Sequence, residues 1–207
     1  MIEVLAKGMA VGLAVAAPVG PIGLLCMRRT WSDGRIAGFA TGLGAAAADA
    51  GYGLLVAAGF AVTGLLVEHA RAISFFGGLL IVWLGVQSIR AFRAGGAPRA
   101  AEAGDFRGVL SAFGTTFLLT LSNPMTILSF VALVAGLGPS LTESAKAPYV
   151  LVVGVFAGSA LWWLILVHLA TFAQARMTPA TMRWVDLASG GLLLAWGVSI
   201  VGAAIFV

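Results

Sequence analysis

Asp49 is the one residue whose type and setting promise chemistry in an otherwise apolar stretch. It is the only Asp, Glu, Lys or Arg between residues 36 and 67, and small residues surround it: Ala45 to Ala48, Ala50, Gly51 and Gly53. Small neighbours leave space around a carboxylate and let helices approach closely. An acid at the centre of a membrane helix costs about 2.5–3.5 kcal/mol on insertion scales, so its presence asks for a reason. Two functional roles fit, pairing with a substrate ammonium and carrying a coupling proton. The structural alternative is a carboxyl hydrogen-bonded to a neighbouring helix.

Two proline motifs supply the second kind of chemistry. In Ala17-Pro18-Val19-Gly20-Pro21-Ile22-Gly23, two prolines three apart each remove a backbone donor and crowd the preceding turn. The helix is expected to unwind near Pro18 to Pro21, with unused carbonyls before the break and unused N–H groups after it. Lipid satisfies neither, so the break must face protein or a polar cavity. N–H groups at a helix start suit a carboxylate. Ser122-Asn123-Pro124-Met125-Thr126 is the counterpart later in the chain, with an amide and two hydroxyls beside its proline. The candidate substrate-binding set is therefore Asp49, Pro18, Gly20, Pro21, Gly23, Ser122, Asn123, Pro124 and Thr126, with Asp49 also the candidate for proton coupling. Kinks that merely shape packing are the plainer reading of the prolines.

Other polar or reactive residues promise less. His168 reads as a satisfied polar residue near an interface or as a site residue. Trp162 and Trp163 either line the site or pack. Cys26, the single cysteine, allows no disulfide and no redox pair. His69 and His168 stand apart, so no HExxH-type metal cluster exists, and no GxxxxGK[ST] loop is present for ATP. No catalytic residue, metal or cofactor is expected.

These residues must be held by membrane helices. Of the 207 residues, 60% are hydrophobic and 10% charged, whereas a soluble domain carries about 25% charged residues. That excludes an ordinary soluble enzyme, a disordered chain and a nucleic-acid binder. Charge-free or nearly charge-free runs lie at 8–27, 36–67, 72–89, 108–142, 147–175 and 187–207. Roughly 20 helical residues cross a core about 30 Å thick, so the expectation is an all-α polytopic membrane protein with six transmembrane helices. The 35 residues of 108–142 are too few for two passes and a turn. The break at Asn123-Pro124 and the tail Gly136 to Ser140 absorb the excess. None of the runs alternates as a barrel strand would. Ala14-Val15-Ala16 imitates a signal-cleavage site, but Glu3 and Lys7 leave no net positive start, and the first helix is read as permanent.

Arg28, Arg29, Arg35, Arg90, Arg93, Arg99, Arg107, Arg176 and Arg183 come after the odd-numbered helices, against Lys7, Arg71 and Lys146 on the other side. This asymmetry predicts cytoplasmic odd connections and both termini outside. The excess of 12 Lys and Arg over 8 Asp and Glu is thus a topology signal rather than a nucleic-acid patch.

The chain also repeats. Gly77-Gly78-Leu79-Leu80-Ile81-Val82-Trp83 matches Gly190-Gly191-Leu192-Leu193-Leu194-Ala195-Trp196, and Gly38 and Gly42 match Gly154 and Gly158. Pro21 matches Pro124. Three helices per half make the second half inverted, an arrangement common among secondary transporters. The expected organisation is a first three-helix repeat at 1–92, a cytoplasmic linker at 93–107 and an inverted repeat at 108–207. The linker carries Gly95-Gly96-Ala97-Pro98 and mixed charges. The Gly-x-x-x-Gly pairs are expected to pack helices within one protomer; a homodimer is left open.

Taken together, Pro18 to Thr30, Gly34, Gly38, Thr41 to Gly53 and Leu119 to Leu128 make the chain resemble the LysE/RhtB amino-acid exporter family over essentially its whole length. The resemblance implies an inner-membrane, multi-pass secondary exporter, with amino acids or similar small zwitterions as substrates, and surrounding lipid and protons as its other partners. Members resembling the basic amino-acid exporters carry a second acid shortly after their Asn-Pro, where this chain has Ser129. That departure favours neutral over basic substrates. The expected mechanism is alternating access around the two broken helices and Asp49. A cation or metal-ion exporter, or a channel of related fold, is the alternative. An intramembrane enzyme or electron carrier lacks the paired thiols or clustered histidines it would need.

Overall fold

The computed structural model describes residues 1–18, 20–57, 60–93, 106–123, 126, 130, 146–174, 176 and 178–206. Within them the chain forms seven helices: α1 (Ile2–Ala16), α2 (Pro21–Ser32), α3 (Arg35–Ala57), α4 (Phe60–Arg93), α5 (Phe106–Leu121), α6 (Ala147–Gln174) and α7 (Pro179–Phe206). No strand occurs among the described residues.

The first helix breaks where Pro18, Gly20 and Pro21 predict. α1 ends at Ala16, Gly20 is extended, and Pro21 opens α2 at a position where its missing N–H costs nothing. The two helices are bent by 81°. Gly34 then turns α2 back along α3 with φ +90, the left-handed region that glycine enters without strain. α5 likewise stops at Leu121, next to Ser122 and Asn123.

Two boundaries differ from expectation because charge does not end a helix. The run 36–67 does not form one helix. Instead α3 ends at Ala57, and Phe60–Arg93 is a single 34-residue helix that includes Glu68, His69 and Arg71. Glu and Arg are good helix formers, and a helix longer than the hydrocarbon core carries them beyond it. α7 starts at Pro179, eight residues before the apolar run at 187; Thr178 Oγ1 accepts the Thr181 N–H at 3.2 Å and caps it.

Three stretches are long and apolar enough to cross a membrane: Arg71–Arg90, Ala147–Gln174 and Arg183–Ile205; the bent α1–α2 pair makes a fourth if it counts as one span. α3, at 23 residues, has the length, but Asp49 and its glycines dilute its hydropathy. The 16 residues of α5 fall short alone. The linker glycines 95–96, Ser129 and the tail 136–140 lie outside the described residues.

Packing obeys membrane logic. Large apolar side chains point outward, among them Leu43 and Leu54 on α3, Phe76 and Trp83 on α4, Leu169 and Phe172 on α6, and Trp184 on α7. Alanines and hydroxyls share the interior with apolar clusters: Ala45, Ala46, Ala48, Thr30, Thr41, Thr116, Ser88 and Ser159 are buried, as are Leu25, Ile81, Leu84, Leu119 and Leu193. The small residues bring backbones together. α1 lies close against α6, running parallel. A methyl added at Gly12 would collide with the Val155 carbonyl, and one at Gly158 with the Met9 carbonyl.

The repeated Gly-Gly strings meet in the antiparallel α4–α7 pair, where Gly78 faces Gly197 and Gly85 faces Gly190. Gly38 and Gly42 lie against Val167 and Trp163 of α6, while Gly154 and Gly158 lie against α1. Both Gly-x-x-x-Gly pairs therefore pack within the chain.

Candidate functional site

α3 organises the centre of the bundle. It runs antiparallel to α6, pairing Gly38 with Val167, Gly42 with Trp163 and Gly53 with Val152. It runs parallel to α5, pairing Gly44 with Phe113 and Tyr52 with Leu121. α2 lies antiparallel along its first half: Thr30 packs on Gly38, and Cys26 Sγ is 3.6 Å from the Gly38 carbonyl. Ile22 shares a buried cluster with Ala45 and Ala46. Extending that register sets Pro21 and the start of α2 abreast of the turn that carries Asp49. The N–H groups of Ile22 and Gly23 have no acceptor within their own helix. The first N–H of α2 to make one is Leu24, to Gly20 at 3.1 Å.

Asp49 is 3% exposed. Its Oδ2 accepts a hydrogen bond from Ser159 Oγ of α6 at 2.6 Å. Trp163 Nε1, one turn further along α6, donates to the same Ser159 oxygen at 3.2 Å. Trp163 belongs to the same buried cluster as Ala16, the last residue of α1, and Ile22 just after the break. A short polar chain thus leads from the carboxylate to a tryptophan of the cluster that flanks the first helix break.

Tyr52 lies three residues beyond Asp49, on the same side of α3. Its hydroxyl donates to the carbonyl of Leu121, the last residue of α5, and its ring stacks on Phe130 at 5.4 Å. A carbonyl at the end of α5 is thereby satisfied. One face of α3 touches α6 through Asp49, the end of α5 through Tyr52 and the start of α2 through Ala45 and Ala46.

The other expected site residues are placed unevenly. Gly20, Pro21 and Gly23 form the break, with Pro21 and Gly23 buried, whereas Pro18 is exposed. Ser122 spends its hydroxyl on the Leu118 carbonyl at 2.8 Å and packs on Gly77 of α4. The backbone N–H of Asn123 goes to Thr120 at 3.2 Å. Thr126 is helical and buried; Pro124 lies outside the described residues. His168 is exposed: Arg35 Nη2 donates to its Nε2 at 3.3 Å, which leaves Nδ1–H for the Leu164 carbonyl at 2.8 Å. It is a satisfied polar residue. Trp162 only borders the apolar cluster, and Cys26 is buried.

Three participants are not evident from sequence. Ser159 sits next to Gly158 and one helical turn before Trp163, a spacing that becomes meaningful only once α6 is known to face Asp49. Tyr52 carries its signal in the i, i+3 spacing from Asp49. Arg29 reads in sequence as one of the topology cations. Instead its Nη1 reaches Thr41 Oγ1 (3.3 Å), the Ala112 carbonyl (2.9 Å) and Thr116 Oγ1 (3.1 Å), inside the bundle.

Its neighbour Arg28 pairs with Asp186 of α7 at 3.0 Å. Trp31 Nε1 donates to the Ala170 carbonyl at 2.7 Å, and Gln174 returns a bond to the Trp31 carbonyl at 3.0 Å. α2 is therefore tied by polar contacts to α3, α5, α6 and α7. Among the described residues no three His, Cys, Asp or Glu gather as metal ligands. A separate cleft of about 450 Å³ lies between α1 and the start of α6, lined by Leu5, Lys146, Tyr149, Val150 and Val153.

Among known proteins, a family model described as LysE type translocator matches residues 13–203. No curated protein and no solved structure matches the chain.

Proposed function

The chain belongs to the LysE type translocator family, and within that family of multi-pass membrane transporters we propose that it is a secondary exporter of amino acids or similar small zwitterions, neutral rather than basic, driven by protons. The observation that carries this reading is the buried carboxyl of Asp49 set where a broken helix, the end of α5 and α6 converge. A zwitterion needs an anionic group for its ammonium and donors for its carboxylate. Asp49 offers the first and the N–H groups of Ile22 and Gly23 the second. Asp49 is also the proton carrier: it holds a proton on one face of the cycle and yields it on the other.

Helix directions support six passes in two inverted halves. α1 parallels α6, α3 parallels α5, α3 opposes α6, and α4 opposes α7. Six successive crossings, in which α1–α2 counts once and α3, α4, α5, α6 and α7 each take part in one, require those relations. The two close parallel pairings, α1 on α6 and α3 on α5, exchange under an inverted repeat, while the α4–α7 pair maps onto itself. The halves are 1–92 and 108–207, joined by the linker 93–107. Rocking of one half against the other gives each face access in turn. The cation asymmetry supports cytoplasmic odd connections, outward termini and an inner-membrane location.

Proteoliposome counterflow tests the reading. Labelled amino acid trapped against an excess of its unlabelled form exchanges through a carrier, with saturation. A non-saturating leak, or exchange of metal cations in its place, would favour the channel or metal-exporter alternative.

A further inference from the structure

The structure assigns to Arg29 a role that the account of Asp49 leaves open: we propose that it forms a carboxylate-recognising subsite on the cytoplasmic side of Asp49, which makes a free carboxylate a condition of transport. The inference rests on the exporter reading.

A guanidinium carries five donors in a planar fork matched to a carboxylate. Arg29 lies between α2, α3 and α5, and its three bonds all end on neutral oxygens, those of Thr41, Ala112 and Thr116. Among the described residues no carboxylate lies within 4.0 Å of it, while Arg28 next to it has Asp186. Asp33, one turn further on at the end of α2, acts on Arg29 through space without an ion-pair contact; it is exposed and accepts from Ser32 Oγ at 3.0 Å. The threonine hydrogens are already spent, Thr41 on Ala37 at 2.8 Å and Thr116 on Ala112 at 2.9 Å, so each hydroxyl turns a lone pair to the arginine. Thr41 and Thr116 are fully buried. A cation kept among weak, neutral acceptors gains by exchanging them for a carboxylate, since charge-assisted bidentate bonds are about twice as strong.

Distance separates this subsite from Asp49. Thr41 precedes Asp49 by eight helical residues, about 12 Å along α3. The amino nitrogen and carboxyl carbon of an α-amino acid are about 2.5 Å apart. One such molecule cannot touch both charges, so the two act in succession. A carboxylate arriving from the cytoplasm meets Arg29 first and displaces Thr41 and Thr116. That loosens α2 from α3 and α5 before the ammonium reaches Asp49.

The test compares acids with their amides. Counterflow is measured for the common L-amino acids, and for the best-exchanged ones the KM is compared with that of the matching carboxamide. The wild-type chain is expected to prefer the acid by about tenfold or more, the range of a hydrogen bond to a charged partner. Arg29→Gln is expected to lower the ratio severalfold, leaving the preference that the N–H groups of Ile22 and Gly23 supply, and Arg29→Lys, which keeps charge but loses the fork, to give an intermediate ratio. Should the Gln variant not fold, the Lys variant alone decides: an unchanged ratio overturns the assignment. Equal loss of acid and amide exchange in Arg29→Gln would make the residue a structural tie and also overturn it. If the wild-type chain exchanged no amino acid, the exporter reading itself would fall, and the subsite with it. Exchange with an undiminished acid preference in the variants removes only the subsite.

Discussion

Ser159 Oγ on α6 donates to Asp49 Oδ2 on α3 at 2.6 Å, joining residues 110 apart in sequence across the antiparallel pair at the centre of the bundle. A hydroxyl can both donate to a carboxylate and accept from a proton-bearing carboxyl, so the pair tolerates either state of Asp49. A Lys or Arg partner would fix the ionised state. This pairing is the hydrogen bond of the structural reading, and it is compatible with either state of the carboxyl.

Ser159→Ala is expected to fold but to lose stability by about 0.5–2 kcal/mol, the range of a hydrogen bond between membrane helices. Its transport should also depend differently on pH. Thermal unfolding in detergent and transport rates across pH 5–9 check both; an unchanged pH profile would separate Ser159 from the proton step.

Tyr52→Phe keeps the ring stacked on Phe130 and removes only the donor to Leu121. A half-buried carbonyl left without a protein partner costs at most about 1–3 kcal/mol, the cost of a fully buried one. The expected outcome is a lower melting temperature, with the end of α5 exchanging its amide hydrogens faster. Unchanged exchange at residues 118–122 would mean that the second break needs no support from α3.

Gly12→Ala should destabilise strongly, because the new methyl overlaps the Val155 carbonyl and neither backbone can give way. Gly51→Ala meets nothing within 4 Å and, being in a helix interior, is expected to be neutral or to gain up to about 1 kcal/mol. Melting temperatures of the two variants provide the comparison.

Arg28 and Asp186 are a further pair open to test. Arg28→Asp and Asp186→Arg should each lower stability, and the double exchange should recover part of the loss, with a coupling between about 0.5 and 3 kcal/mol. Purely additive effects would show that the ion pair does not hold α2 to α7.

Features that depend on neighbours along the chain were legible in the sequence. Pro18, Gly20 and Pro21 stop a helix by local sterics, so the first break lies where the residues placed it. The end of α5 beside Asn123 obeys the same rule. Charge was a poorer guide: Glu68, His69 and Arg71 ride inside α4, because Glu and Arg are good helix formers and do not end a helix. The partners of Asp49 could not be read, since Ser159 meets it only through the register of α3 on α6. Arg29 was concealed for a similar reason. Beside Arg28 it looks like one of a pair of topology cations, yet adjacent helical positions point about 100° apart. One therefore reaches α7, the other the interior between α3 and α5.

The most direct measurement is counterflow and pH-gradient-driven uptake by Asp49→Asn in proteoliposomes, beside the wild-type chain at equal reconstituted amounts. Asn keeps the shape and can still accept from Ser159, so the variant should insert, fold and melt close to wild type. The account predicts that proton-driven uptake disappears and that amino-acid exchange falls to background. Wild-type rates in Asp49→Asn would contradict it.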